Sequence, residues 1–291
     1  MVAFTELNTE PAAPAGPNIL RRKALRALGE LPPFSATLNR LMASLAGEDV
    51  SFSQLGDLIE KDTVVAGNVL HLVNSALYAR RGSINSVRHA LSILGLAKIR
   101  NAVLGMSLTR MWSKVPVPAS WSMARFNLHS AATALLSDQL AQRLAVDYPE
   151  GAFVAGLMHD LGRLLIAMTL TPQHEQIYKL QRTTGASLLD CEREVLGFTH
   201  AMLSTDALAV WNIPEPIRVA ALHHHDHLDQ ISLSRVVEAA DHYVDSTGLA
   251  VCEADSADSQ GIGTLGLNED TAAAILREFR AEFDLMSQFF H

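Results

Sequence analysis

Apolar residues recur at three- and four-residue intervals along most of this chain, the spacing that gathers them on one face of a helix. Leu38, Leu41, Met42 and Leu45 make one stripe, with Gly47 as its stop. Ser51-Phe52-Ser53-Gln54 reads as a capping box, in which the serine hydroxyl and glutamine side chain satisfy early backbone N–H groups; Leu55, Leu58 and Ile59 follow. Further stripes run through Val65, Val69, Leu72 and Val73 after Asp62, and through Val87, Ala90, Leu91 and Leu94 after an expected cap at Ser86. Gly95 ends that helix, and Ile99, Val103 and Met106 begin the next. Leu31-Pro32-Pro33 and Arg80-Arg81-Gly82 supply breaks between helices. No segment of useful length alternates as a strand would. Short helices with short connections predict an all-α bundle.

Val115-Pro116-Val117-Pro118 cannot continue a helix and predicts a joint between two helical subdomains. The expected organisation is a flexible tail at 1–18, an N-terminal helical bundle at 19–115, a second helical subdomain at 116–247, a mobile loop at 248–268 and an amphipathic C-terminal helix at 269–291. The loop assignment rests on Asp, Ser, Gly and Ala richness, and the last helix on Ala274, Leu276, Phe279, Phe283, Met286 and Phe290.

The second half places ionisable groups where apolar ones are expected. Gly151 to Met168 reads as a mostly apolar helix interrupted by His159 and Asp160. His129 falls in the stripe Phe126, His129, Thr133, Leu136, Leu140, Leu144. Thr199 is an expected N-cap with His200 in the first turn. His224 lies on the face of Ile217, Ala220 and Ala221, with His225 beside it, and Asp241 lies with Val236, Val237, Ala240 and Val244. A buried carboxylate without a partner is strongly unfavourable, so these groups need a common solution. One solution is one or two metal ions with Asp160 bridging; mixed imidazole and carboxylate donors suit iron, manganese or zinc. The other is a buried polar network or a vestigial site that no longer holds metal, with Asp160 capping a turn or paired to Arg163 and His159 a satisfied core histidine.

Composition narrows the classes. The 291 residues are 48% hydrophobic and 19% charged, with a net charge of −8. That balance lacks the basic footprint of a nucleic-acid-binding protein. No apolar run reaches about 18 residues, which predicts no membrane span. Cys191 and Cys252 have no metal or redox spacing, and the N-terminus lacks a secretory pattern, so a cytoplasmic protein with reduced thiols is expected.

The first half resembles the HDOD family, the HD-related output domains of bacterial signalling proteins. The matching residues include Leu31-Pro32-Pro33, Asp62, Asn74-Ser75-Ala76, Tyr78, Ser86-Val87, Leu94-Gly95 and Arg100-Asn101. The second half resembles the HD superfamily of metal-dependent phosphohydrolases through Leu157-Met158-His159-Asp160-Leu161-Gly162, Trp211-Asn212-Ile213-Pro214 and the order His129, His159-Asp160, His200, His224-His225, Asp241. The resemblance covers roughly residues 25–245 and implies an N-terminal helical bundle joined to an HD-like helical domain. It implies a signalling output module that binds a protein partner, or a nucleotide or phosphate ligand. The alternative it implies is metal-dependent hydrolysis of a nucleotide or phosphate ester. Arg163 stands where hydrolytic relatives commonly carry lysine; a guanidinium there is a candidate phosphate contact. The cluster His223-His224-His225-Asp226 lacks the Gly-Tyr-Pro signature of the cyclic-dinucleotide phosphodiesterase branch. Three consecutive histidines leave the register open by one, and the spacing from Ile213-Pro214 favours His224 and His225.

Overall fold

The computed structural model describes residues 16–31, 34–45, 51–78, 83–252 and 261–290. Among these, helices and turns account for all regular structure and no strand occurs, as the helical periodicity predicts. Residues 1–15 of the expected tail, the Pro32-Pro33 break, the Gly47 stop, the Arg80-Arg81-Gly82 turn and residues 253–260 of the expected loop lie outside the described residues.

The first half comprises α1 (Pro17–Arg26), α2 (Ala36–Leu45), α3 (Phe52–Lys61), α4 (Thr63–Val73), α5 (Val87–Leu94) and α6 (Leu96–Trp112). Ser51 and Gln54 form the reciprocal capping box of α3. Asp62 caps α4 by accepting from the Val64 and Val65 backbone N–H groups. Ser86 does precede α5, but its side chain makes no cap hydrogen bond. Between α5 and α6 the chain turns sharply at Gly95, whose φ of 84° lies where only glycine sits without strain. The Val115-Pro116-Val117-Pro118 segment forms a non-helical link after α6.

The second half comprises α7 (Met123–Ala141), α8 (Ala152–Met158), α9 (Leu161–Thr169), α10 (Thr171–Thr184), α11 (Leu188–Leu196), α12 (His200–Val210), α13 (Glu215–His223), α14 (Leu233–Val244) and α15 (Glu269–Met286). One continuous hydrophobic core runs through both halves, from Leu41, Ile59 and Val103 to Phe153, Leu164 and Val237. The pair α7 and α8 lies at its centre, with α14 and α15 also packed on α7. Phe290, just beyond α15, is fully buried against Gly105, which Phe153 also approaches. Within the expected loop, residues 261–265 form a 3₁₀ turn on α14 with Ile262 and Leu265 buried.

The expected single helix from Gly151 to Met168 is two helices. α8 ends at Met158 and α9 starts at Leu161, with Asp160 between them at φ −97° and ψ 12°. The surrounding stretch Pro149–Thr169 is long and apolar enough to cross a membrane, yet 94% of its most apolar 18-residue window is buried in the protein interior. Two glycines set the break against its neighbours. A Cβ at Gly156 would sit 2.8 Å from Ala134 Cα, so glycine is what lets α8 approach α7. A Cβ at Gly162 would sit 2.1 Å from the His200 carbonyl oxygen, so glycine is what lets α9 meet the start of α12.

Candidate metal centre

These two close approaches bring the His-Asp doublet to residues far away in sequence. His129 comes from the middle of α7, His159 and Asp160 from the α8–α9 break, and His200 from the first turn of α12, where the Thr199 hydroxyl caps the helix. His224 and His225 follow α13, and Asp241 lies near the end of α14. All seven expected ligands meet, in two groups. His129, His159 and Asp241 form one; Asp160, His200, His224 and His225 form the other. Within each group the donor atoms lie within 4.8 Å of one another.

Asp160 joins the groups. Its Oδ1 lies 3.2 Å from His200 Nε2 and 3.7 Å from His224 Nε2. Its Oδ2 lies 3.8 Å from both His129 Nε2 and His159 Nε2. In the other group, Asp241 Oδ1 is 3.1 Å from His129 Nε2 and 3.4 Å from His159 Nε2. The two rings approach each other at 3.3 Å through Nε2, as His200 and His225 do at 3.0 Å.

The outward nitrogens fix the direction of the inward ones. His159 Nδ1 donates to the Gly156 carbonyl and His224 Nδ1 to the Ala221 carbonyl, each at 2.8 Å. His200 Nδ1 lies 2.9 Å from the Glu192 carboxylate, and His129 Nδ1 faces Asp245 Oδ1 at 3.4 Å. A ring whose Nδ1 carries the proton presents a lone pair at Nε2. Several lone pairs and two carboxylates therefore converge in a region where inner residues are at most 4% exposed. Such a set calls for positive charge, supplied by extra protons or by a cation. His224 Nε2 is buried with no hydrogen-bond partner, which a proton shared between other rings does not remedy. A cation held among these donors would supply that charge and a partner for His224 Nε2, so the residues fit the metal that their types imply.

The titration behaviour follows the same charges. Burial alone pushes His200 down, but Glu192 and Asp160 outweigh it and lift the ring to about 10. Burial likewise opposes protonation of His129 and His159; Asp241 with Asp245 in the first case, and Asp160 with Asp241 in the second, raise both. Asp160 lies well below the usual carboxylate range despite its burial, because His159, Arg163 and His200 surround it. His224 and His225 are lowered, chiefly by burial. Protons and metal ions compete for the same inward nitrogens.

The three consecutive histidines take different positions. His223 turns outward to Asp226 at 2.6 Å, while His224 and His225 join the centre. Arg163 is 6% exposed; its Nη1 meets Asp160 Oδ2 at 3.1 Å and its Nη2 meets the Tyr178 hydroxyl at 3.0 Å. The Asp160–Arg163 pair expected of a polar network thus coexists with the converging donors. Sequence reasoning missed Glu192 and Asp245. Their signals are present: Glu192 is four residues from both Leu188 and Leu196 on one helical face, and Asp245 is one turn beyond Asp241.

The model of the HDOD domain matches residues 31–227. An HDOD domain protein of unknown function from Geobacter sulfurreducens has a similar structure, with a TM-score of 0.73 and 23% identity over 93% of this chain and 95% of that one. A candidate signal transduction protein from Marinobacter aquaeolei VT8 gives 0.70 and 20%, over 94% of this chain and 65% of that one. A candidate phosphohydrolase from Shewanella amazonensis SB2B gives 0.69 and 19%, over 92% and 98%. At these identities the likeness concerns the fold. An uncharacterised protein of Treponema pallidum is 22% identical over 203 residues, and this chain spans only 38% of its length.

Proposed function

The chain belongs to the HDOD family, and from that premise we propose that it is a signalling output module whose HD-like half holds one or two divalent transition metal ions. Iron, manganese and zinc suit the His and Asp donor set. The module acts by binding a protein partner in a cytoplasmic signalling pathway, or a nucleotide or phosphate ligand. The observation that carries this reading is the closure of the ligand set. His129, His159, Asp160, His200, His224 and Asp241 are each at most 4% exposed, and Arg163 lies inside the core on Asp160 and Tyr178. A closed centre suits a metal that holds helices together, or reports on their arrangement, better than one that turns over a bulky phosphate ester.

A second reading, metal-dependent phosphohydrolase, is favoured by one feature. Asp160 offers an oxygen to each ligand group, the arrangement that two-metal phosphoryl-transfer centres use. A bound metal there would supply Lewis-acid stabilisation of developing charge on phosphate oxygens. This chain's own contribution would be Asp160 as the bridge, the Glu192- and carbonyl-held rings as fixed donors, and Arg163 as a charge adjoining the bridge.

The two readings separate in a turnover screen of the metal-loaded protein against phosphomonoesters, phosphodiesters and nucleotides. The signalling reading expects stoichiometric metal and no turnover that depends on Asp160. Robust hydrolysis abolished by Asp160→Ala would establish the second reading instead.

A further inference from the structure

A third set of donors lies at the edge of the centre. His225, Asp241 and His242 each offer a ligand atom, and these three atoms lie within 4.8 Å of one another. The set takes His225 from the four-residue group and Asp241 from the three-residue group, and adds only His242. His242 follows Asp241 on α14, so the two side chains leave the helix roughly 100° apart. Asp241 is directed into the core and His242 toward its margin. Burial agrees: Asp241 is 4% exposed, while His225 and His242 are both half-buried. Beyond His242 stands the exposed His227, with ring centres 5.8 Å apart, and His227 itself pairs with Glu238.

A hydrated cation meets a physical obstacle here. The other ligands are covered, and an ion gives up its water readily only where protein donors replace it. A metal site therefore needs an entry path as well as a ligand set. The half-buried side of the centre is where such donors occur, and the outer set already contains one ligand of each inner group.

We propose that His225, Asp241 and His242 form a loading position for a divalent transition metal ion, which passes from it to the inner groups through the ligands it shares with each. The proposal rests on the reading of the centre as metal-binding. In it, His242 governs how fast the metal arrives and has no part in the final coordination.

The test mixes metal-free protein with Co2+, follows the growth of visible absorption by stopped flow, and measures metal content after desalting. His242→Ala is expected to slow uptake by roughly tenfold or more, the scale on which supporting groups act at metal sites. Final content and spectrum should match the wild type. His227→Ala removes a neighbouring exposed histidine outside the set and should load at the wild-type rate. Equal uptake rates for His242→Ala and wild type overturn the loading position and leave the inner centre standing. Lower final content in His242→Ala also overturns it, making His242 a resident ligand. A wild type that takes up no Co2+ overturns both this proposal and the reading beneath it. Should His242→Ala melt below the metal-free wild type, His242→Asn keeps a polar side chain at this half-buried position and is read against the same outcomes.

Discussion

Glu192 grips His200 at two points. A carboxylate oxygen lies 2.9 Å from the His200 ring Nδ1, and another accepts the His200 backbone N–H at 2.8 Å. With both residues buried, this contact fixes the ring so that Nε2 faces Asp160. Glu192→Gln keeps the shape and removes the charge. It is expected to weaken metal affinity roughly 10- to 100-fold, as loss of a group that orients a ligand does. Competition against a chromophoric chelator measures this, and NMR titration of the metal-free protein should show the His200 ring falling from about 10. Unchanged affinity would mean that His200 is not a ligand.

Metal should stabilise the fold because the complete ligand set exists only in the folded chain. His129, the His159-Asp160 doublet, His200, His224 and Asp241 come from five separate places in the chain that the unfolded state does not hold together. At a free concentration about 100 times Kd, binding adds about 2.7 kcal/mol, which raises Tm by several degrees in a chain of this size. Chelation should lower Tm, and iron, manganese or zinc should restore it. Asp160→Ala should abolish the restoration. A scanning calorimetry series with and without chelator decides; identical transitions in wild type would leave the residues as a buried polar network.

Gly162→Ala places a Cβ 2.1 Å from the His200 carbonyl oxygen, against backbone on both sides. Either α9 or the start of α12 must move. Overpacking of this kind typically destabilises by about 1–3 kcal/mol, and here it also separates Asp160 from His200. Gly263→Ala, whose added Cβ meets nothing within 4 Å, is the control and should stay within about 0.5 kcal/mol of wild type. Urea midpoints and metal content of the two variants test the contrast.

His174 links stability to pH. It is buried between Trp121 and Tyr178, and neither ring nitrogen has a hydrogen-bond partner. Burial, with the nearby Arg163 charge, lowers it from 6.5 to about 4. The unfolded chain therefore takes up this proton more readily than the folded one between those values. The contribution is complete above about 6.5 and is lost as pH falls toward 4. His174→Phe keeps an aromatic ring and removes the titration, so it should flatten that part of the acid limb. Urea unfolding of metal-free wild type and variant from pH 4 to 7 compares the slopes; parallel curves would assign the acid limb to other groups.

The sequence by itself determined the helical class, the caps at Ser51, Asp62 and Thr199, and which seven His and Asp side chains to look for in the core. The helical pattern is local: one stripe of apolar residues, one cap or one glycine is enough to define an element. His129 and Asp241 stood out because a polar group within an apolar stripe is visible without knowing what it faces. What only the tertiary structure decided is how those groups meet. The break at His159-Asp160 looked like continuous helix because its flanks are uniformly apolar; packing of α8 on α7 and of α9 on α12 opens it, through Gly156 and Gly162. The outward place of His223 depends on how α13 enters the core, and nothing in three identical neighbours encodes that. Glu192 and Asp245 passed unnoticed because a supporting acid is recognised by the ring it holds. That ring lies eight residues away for Glu192 and more than a hundred for Asp245, distances across which only folding creates a contact.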